Sequence, residues 1–445
     1  MSEGSAKRAS EDALVLARKR YPDADAQVSV WDGWTANTRF ARNEPSTNGD
    51  VEETQLDITV AFGKRHANAS TNQTDEMSVA AAIDRAATMA RLSPEDPEWM
   101  PLLGAAELAV TAGAFDPEVA AFDAEKRATA ISAAIAQAKA KGVVGAGYLE
   151  CDSHAWALTN SRGFAGVHAK TRAEMTMTAR TSDGTGSGWA ALASQHAREL
   201  DASEVGRIAS DKGVRSRAPR ALEAGKYTVI LEPAAVAEML GFFVSALDAR
   251  HADEGRSFFS KAGGATKLGE KLFPDLITLE SDPASPDTPG APFDGHGVPL
   301  HRVPWIEQGV VRSLAYSRYW AAKQGKAPTG DQECFTLRGG TAARADDLLS
   351  GVKRGLLVTR FWYTRWLEPK AMSITGLTRD GVFLIEDGRV TGPVNNFRFN
   401  ESPASVLASC DGMTSATTRV STGALWRVPT MRTHDFNMAS VSAAV

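Results

Sequence analysis

Between residues 225 and 256 the apolar positions change period once, and the rest of the chain can be read around that change. Tyr227 to Leu231 form a short apolar run, the mark of a buried strand. Glu232-Pro233 interrupts it, and the proline presets the first turn of a helix. Val236, Met239, Leu240, Phe243, Val244 and Leu247 then recur at helical spacing and predict one apolar stripe on a helix over 234–250. A dense polar cluster follows at once: Asp248, Arg250, His251, Asp253, Glu254 and Arg256.

Upstream, residues 5–20 carry Ala13, Leu14, Leu16 and Ala17 on a predicted helix that ends before Pro22. Residues 26–34, 38–42 and 54–62 alternate like strands, with the polar NEPSTNGD stretch as a loop between the last two. A helix is predicted over 75–91, with Thr74 or Asp75 as its cap. A long alanine-rich helix runs from Asp116-Pro117 to about Lys141, where Gly142 ends it. Residues 143–151, 154–160 and 166–181 read as a meander, 182–188 (SDGTGSG) as a loop, and 199–217 as a connecting helix. Beyond the helix at 234–250, short strands are predicted at 276–280, 303–307, 310–315, 356–363, 372–379, 381–386 and 389–396. Hairpin turns are placed at Asp380-Gly381 and Asp387-Gly388. The expected fold class is α+β. An N-terminal antiparallel sheet with helices on one face would span 1–220. A mainly β, sandwich- or barrel-like domain with one apolar helix would span 221–445.

Composition narrows the function without naming it. The 445 residues are 43% hydrophobic with a net charge of -5, and no stretch is basic enough for a nucleic-acid footprint. No run of about 18 apolar residues suggests a membrane span, and the polar N-terminal stretch lacks a signal-peptide core. Cys151, Cys334 and Cys410 are far apart and form no CxxC pair, which fits a reducing cytoplasm.

Motif tests mostly exclude. There is no GxSxG elbow and no HExxH, and the Gly264–Lys271 stretch lacks the ending of a phosphate loop. His296 and His301 sit in a glycine- and proline-containing loop and read as solvated, while His154 and His168 lie on predicted strands and read as satisfied sheet residues. His251, Asp253 and Glu254 place an imidazole and two carboxylates within four residues, a set able to hold a divalent metal or orient a peptide. The plain alternative is a charged helix end, where Arg250 and His251 suit the dipole.

Several stretches together resemble the TldD/PmbA family of metallopeptidase-related proteins. They are the strand-Pro-helix at 225–250, DEGRSFFSKAGG, APFDGHGVP, KQGKAPTG, TGLTRDGVFLIEDGRV, NNFRFNESP and the closing DFNMASVS. TldD-type members of that family resemble zinc peptidases with HExxxH on the helix that corresponds to 234–250, and with a late cysteine as a further ligand. Set onto this chain, that motif falls on Gly241, Phe242 and Ala246, and the context of Cys410 does not match the late site. The chain therefore resembles the PmbA type, also called TldE. The resemblance implies no zinc in this chain and zinc in a TldD-type HExxxH-bearing partner. It also implies a heterodimer or self-dimer, and peptides or small unfolded proteins as substrate. Strand addition to a sheet edge is the simplest way to hold such a substrate. Arg250, His251, Asp253, Glu254, Arg256, Thr329 in the KQGKAPTG loop, and His434 are the candidate peptide-binding or interface residues. Two other readings compete: a stand-alone peptidase or peptide-tailoring enzyme using His251, Asp253, Glu254 and His434, and a self-associating binding protein with no hydrolytic partner.

Overall fold

The computed structural model describes residues 3–421 and 424–442. In the first half, α1 (Glu3–Arg20), β1 (Asp25–Ala41), β2 (Glu44–Phe62), β3 (Arg65–Thr71) and α2 (Glu76–Leu92) come first. They are followed by α3 (Pro117–Ala120), α4 (Ala124–Ala140), β4 (Val143–Asn160), β5 (Ala165–Thr181), β6 (Ser187–Ser194) and α5 (Ala202–Arg215). The strands form one antiparallel sheet in the order β3-β2-β1-β4-β5-β6. All the long helices pack on one face of it. Val28, Val30, Ile58, Ala155 and Ala157 meet α1 and α2, while Leu149, Ala173, Met175 and Met177 meet α4 and α5.

The second half begins with β7 (Gly225–Leu231), α6 (Pro233–Ser245), α7 (Ala249–Asp253), β8 (Thr278–Ser281), β9 (Val303–Glu307) and β10 (Val310–Val311). Then come α8 (Arg318–Gln324), β11 (Cys334–Arg338), β12 (Arg354–Glu368), β13 (Ser373–Glu386), β14 (Arg389–Pro393) and β15 (Asn396–Glu401). It ends with α9 (Pro403–Ala408), β16 (Cys410–Met413), β17 (Thr418–Ser421), β18 (Leu425–Val428) and β19 (Met431–Ser442). Strands β7, β12, β13, β15 and β19 pair in a closed ring, a barrel with no free edge among them. A second sheet runs β10-β9-β8-β11-β18-β17. Helix α6 packs its predicted stripe, Val236, Met239, Leu240 and Phe243, into the core shared by barrel and sheet. The α+β class read from the sequence, with helices on one face of the N-terminal sheet and a barrel-like second half, is the architecture observed.

Several local expectations are corrected. The NEPSTNGD stretch is no loop: after Arg42 and Asn43, both at positive φ, β2 starts at Glu44 and pairs with β1 along its whole length. The long alanine-rich helix breaks at residues 121–123, where Asp123 caps α4 by accepting from the Lys126 N–H at 2.9 Å. The helix over 234–250 stops at Ser245, and Asp248 caps a new turn, α7. Asp380-Gly381 is a bulge inside β13, not a hairpin, because pairing with β12 continues on both sides of it. Asp387-Gly388 is the predicted hairpin turn, with φ of 47° and 75°. No described helix is long and apolar enough to cross a membrane.

Candidate functional site: the open face of the N-terminal sheet

Helices occupy one face of the six-stranded sheet, so its other face must meet the second half of the chain. Register decides what stands there. Trp31 of β1 lies opposite Trp156 of β4, and Trp156 opposite His168 of β5. His154 lies opposite Lys170, Asp152 opposite Arg172, and Glu150 opposite Glu174. Alternation thus gives β4 and β5 an alanine-rich face toward the helices and an aromatic and charged face toward the barrel half.

Bonds across the seam hold the two layers apart at a fixed spacing. Arg250 makes a bidentate bond to Glu98, at 2.8 and 2.9 Å. Gln195 Nε2 donates to the Pro289 carbonyl at 2.9 Å and Gln27 Nε2 to the Gly295 carbonyl at 3.1 Å. Ser187 Oγ donates to the buried Asp380 carboxylate at 2.5 Å, and Arg419 pairs with Glu199. Between these clamps lie three hollows.

The largest is a cleft of about 680 Å³ at the β1–β3 end, roofed by segments 294–298 and 315–331. Its walls carry Asp57, Asp96, Glu98, Asp248, Asp294 and Asp331. His66 stacks on Trp99 with ring centroids 3.9 Å apart, and its Nε2 lies 3.1 Å from Asp96. Asp294 accepts from the backbone N–H groups of His296 and Val298, both at 2.9 Å. Burial first, and then the nearby Asp294, raise the Asp331 carboxyl above the usual carboxylate range.

The second hollow, about 270 Å³, adjoins the cleft through Asp294, Gly295 and Asp331, which line both. Trp31, Trp156 and Phe293 form its apolar walls, with Trp156 and Phe293 centroids 4.4 Å apart. His168 is 5% exposed, and burial, reinforced by Lys170, pushes its imidazole down to about 4. The expectation that His154 and His168 are satisfied sheet residues fails: His154 Nδ1 and His168 Nε2 are buried without hydrogen-bond partners.

The third hollow, about 500 Å³, lies between β6, β12, β17 and α6. Glu238 reaches it from α6, its carboxyl raised by burial, with Arg360 and Trp189 beside it. One turn further along the helix, a Cβ placed on Gly241 would meet no heavy atom within 4 Å. The Phe242 ring instead packs edge-on against Trp366, centroids 5.1 Å apart. Zinc of the HExxxH type needs two imidazole donors from this helix, and a carboxylate beside them as general base. Gly241, Phe242 and Ala246 offer none, so these residues do not fit the ion. Crowding does not forbid a longer side chain at 241; the chain simply lacks the donors. Cys410 is buried and its thiol is pushed up to about 12, chiefly by burial. Among the described residues, no three His, Cys, Asp or Glu side chains gather as a metal would require.

The residues singled out from the sequence are dispersed. Arg250 joins Glu98 and Glu254, and Glu254 also meets Arg256. Asp253 accepts from the Trp320 indole at 2.6 Å, which ties α7 to α8. His251 is exposed, with Nδ1 3.7 Å from Asp248. Thr329 lines the large cleft and holds Tyr316 through two backbone-directed bonds. His434 lies elsewhere, on β19, bonded to Thr228 at 3.0 Å and Asp411 at 2.9 Å. No bond joins it to His251, Asp253 or Glu254. Sequence reasoning missed the open sheet face. Its signal was present as polar and aromatic residues at every second position, 150–156 and 168–174, in strands whose intervening positions are small.

Three family models describing domain 1, the central domain and the C-terminal domain of the PmbA/TldA metallopeptidases match residues 26–90, 116–217 and 224–440. A metalloprotease of Methanothermobacter thermautotrophicus is 26% identical over 316 residues, 66% of this chain and 67% of its own length. The metalloprotease PmbA of Escherichia coli O157:H7 is 24% identical over 415 residues, 86% of this chain and 85% of its own length. The crystal structure of TldE from Thermococcus kodakarensis superposes with a TM-score of 0.84 at 21% identity, covering 97% of this chain and 100% of that one, which establishes a shared fold. Matched in order by all three family models from residue 26 to residue 440, the chain belongs to the PmbA/TldD metallopeptidase family.

Proposed function

We propose that this chain is the non-catalytic, metal-free subunit of a TldD/TldE-type peptidase. In this reading a TldD-type partner carries the zinc and the hydrolytic chemistry. The present chain contributes substrate-binding surface in a cytoplasmic heterodimer that degrades or trims peptides and small unfolded proteins. One observation carries the reading: on α6 and at its C-cap, where a zinc peptidase of this kind needs two imidazoles and a general base, stand Gly241, Phe242 and Ala246. Without those donors nothing on the helix lowers the pKa of a water. What remains is a seam of clefts against an antiparallel sheet, suited to an extended chain. Thr329, which lines the large cleft, and Arg250, which clamps its rim through Glu98, are the residues we assign to peptide contact or its support.

The test is a peptidase assay on the purified chain alone, then mixed with a TldD-type subunit, each with and without chelator. The expected result is no hydrolysis alone and chelator-sensitive hydrolysis on mixing. Hydrolysis by the chain alone overturns the proposal.

A further inference from the structure

The large cleft and the aromatic hollow are continuous, since Asp294, Gly295 and Asp331 line both. Their chemistry differs. The cleft is acidic on balance: Asp57, Asp96, Asp248, Asp294 and Asp331 line it against the guanidinium of Arg318, which donates to the Pro101 carbonyl. Asp57 is met by Ser70 and Gln55, neutral donors at 2.5 and 3.0 Å, so its charge is not cancelled by either. Along one side runs β3, the edge strand of the sheet, whose His66 and Asn68 line the cleft. An edge strand offers unpaired backbone groups to an extended chain.

The hollow has an aromatic side and a polar side, the latter carrying His154, His168, Lys170, Gln332 and Glu333. At about 270 Å³ it lies below the range of about 300–1,000 Å³ that holds drug-sized ligands, which suits a single aromatic side chain. Trp31, Trp156 and Phe293 offer ring faces and edges. His168, 5% exposed, lines the same hollow, with its Nε2 closed off from solvent.

We infer that the joined cleft and hollow bind an extended peptide segment in which an aromatic side chain fills the hollow, while a nearby lysine, arginine or free amino group lies among the cleft carboxylates. This names a sequence preference for the peptide ligand of the function proposed above and rests on that reading for the peptide nature of the ligand.

The experiment measures binding of the full chain to four dye-labelled, unstructured peptides by fluorescence anisotropy. They differ only in carrying Lys or Glu, and Tyr or Ala, a few residues apart. The Lys–Tyr peptide is expected to bind tightest, with losses of about tenfold for each exchange. Its affinity should fall with added salt. Gly295→Trp is expected to abolish the discrimination without unfolding the chain, because a Cβ at 295 meets nothing within 4 Å. His168→Phe should keep the preference for Tyr over Ala. If the four peptides bind alike, or Gly295→Trp changes nothing while its melting curve matches the parent, the inference is wrong. Discrimination without activation by a TldD-type subunit would sink the proposed function instead. Activation without discrimination would sink only the peptide preference.

Discussion

Replacing His168 by phenylalanine tests the burial of that imidazole quantitatively. His168 stands on β5 in contact with Thr111, whose hydroxyl lies 3.4 Å from Nδ1. Burial is the main cause of its low proton affinity; Lys170 adds to it and Glu333 opposes it. An imidazole that takes a proton at its ordinary value of 6.5 when unfolded holds off to about 4 in the fold. The folded-state value is depressed, so on acidification the unfolded chain binds the proton first. The stability this group contributes is full above 6.5 and is lost as pH falls toward 4. At about 1.4 kcal/mol per tenfold change in proton affinity, the full loss is about 3 kcal/mol, of which about 2 kcal/mol falls between pH 7 and pH 5. Urea unfolding at those two pH values, on the parent chain and on His168→Phe, reads the effect directly. His154 and the carboxylates titrate in both proteins and cancel in the comparison. The variant should be within about 1 kcal/mol of the parent at neutral pH, since one aromatic ring replaces another. Its loss on acidification should be smaller by about 2 kcal/mol. Equal losses in the two proteins would mean that His168 is hydrated or paired, and the buried setting assigned to its imidazole would have to be abandoned.

Three further substitutions probe the frame. Gly206→Ala places a Cβ 2.6 Å from the Ala134 backbone, where α5 crosses α4, and should destabilise the chain by about 1–3 kcal/mol in chemical denaturation. Asp380→Asn keeps a residue that tolerates the positive φ of 56° but leaves Arg360 without its carboxylate; a loss of about 3 kcal/mol or more is expected, and a change under about 1 kcal/mol would show that the pair is well hydrated. Phe243→Ala empties a fully buried site on α6 between Phe259 and Phe273, and thermal melting should report a cost of about 3–5 kcal/mol.

Where apolar burial dictated structure, the sequence was legible. The stripe on α6 is buried from Val236 to Phe243, and of the two caps read for α2 it is Asp75 that accepts from the Ser78 N–H, at 3.0 Å. The Asp387-Gly388 turn was also correctly placed. Where other forces dictated it, the reading failed. The first ten residues of β2 are largely exposed and owe their extended form to pairing with β1 and to polar ties such as Trp34 Nε1 to Asp50 at 2.6 Å, so no periodicity marks them. Asp380-Gly381 carries the same dipeptide as a hairpin, yet a buried ion pair with Arg360 holds it as a bulge, a contact twenty residues away that local sequence does not encode. Helix 117–141 had uniform propensity, and its break depends on the Asp123 cap. For the site, the absence of zinc donors was legible because it is a matter of residue type. The seam was not, because it exists only once the open face of one sheet meets the loops of the other half. Of the seven residues named from the sequence, Thr329 lines the cleft, Arg250 to Arg256 cluster on and after α7, and His434 stands apart on β19. The walls of the hollows come from alternate positions of strands that had read as ordinary sheet.

The measurement that bears most directly on the central claim is the zinc content of the full chain, purified without chelator and quantified by mass spectrometry beside a TldD-type subunit prepared in the same way. Zinc far below one per chain here, and close to one per chain in the partner, is the predicted result. Near-stoichiometric zinc in this chain, removed by chelator, would contradict it.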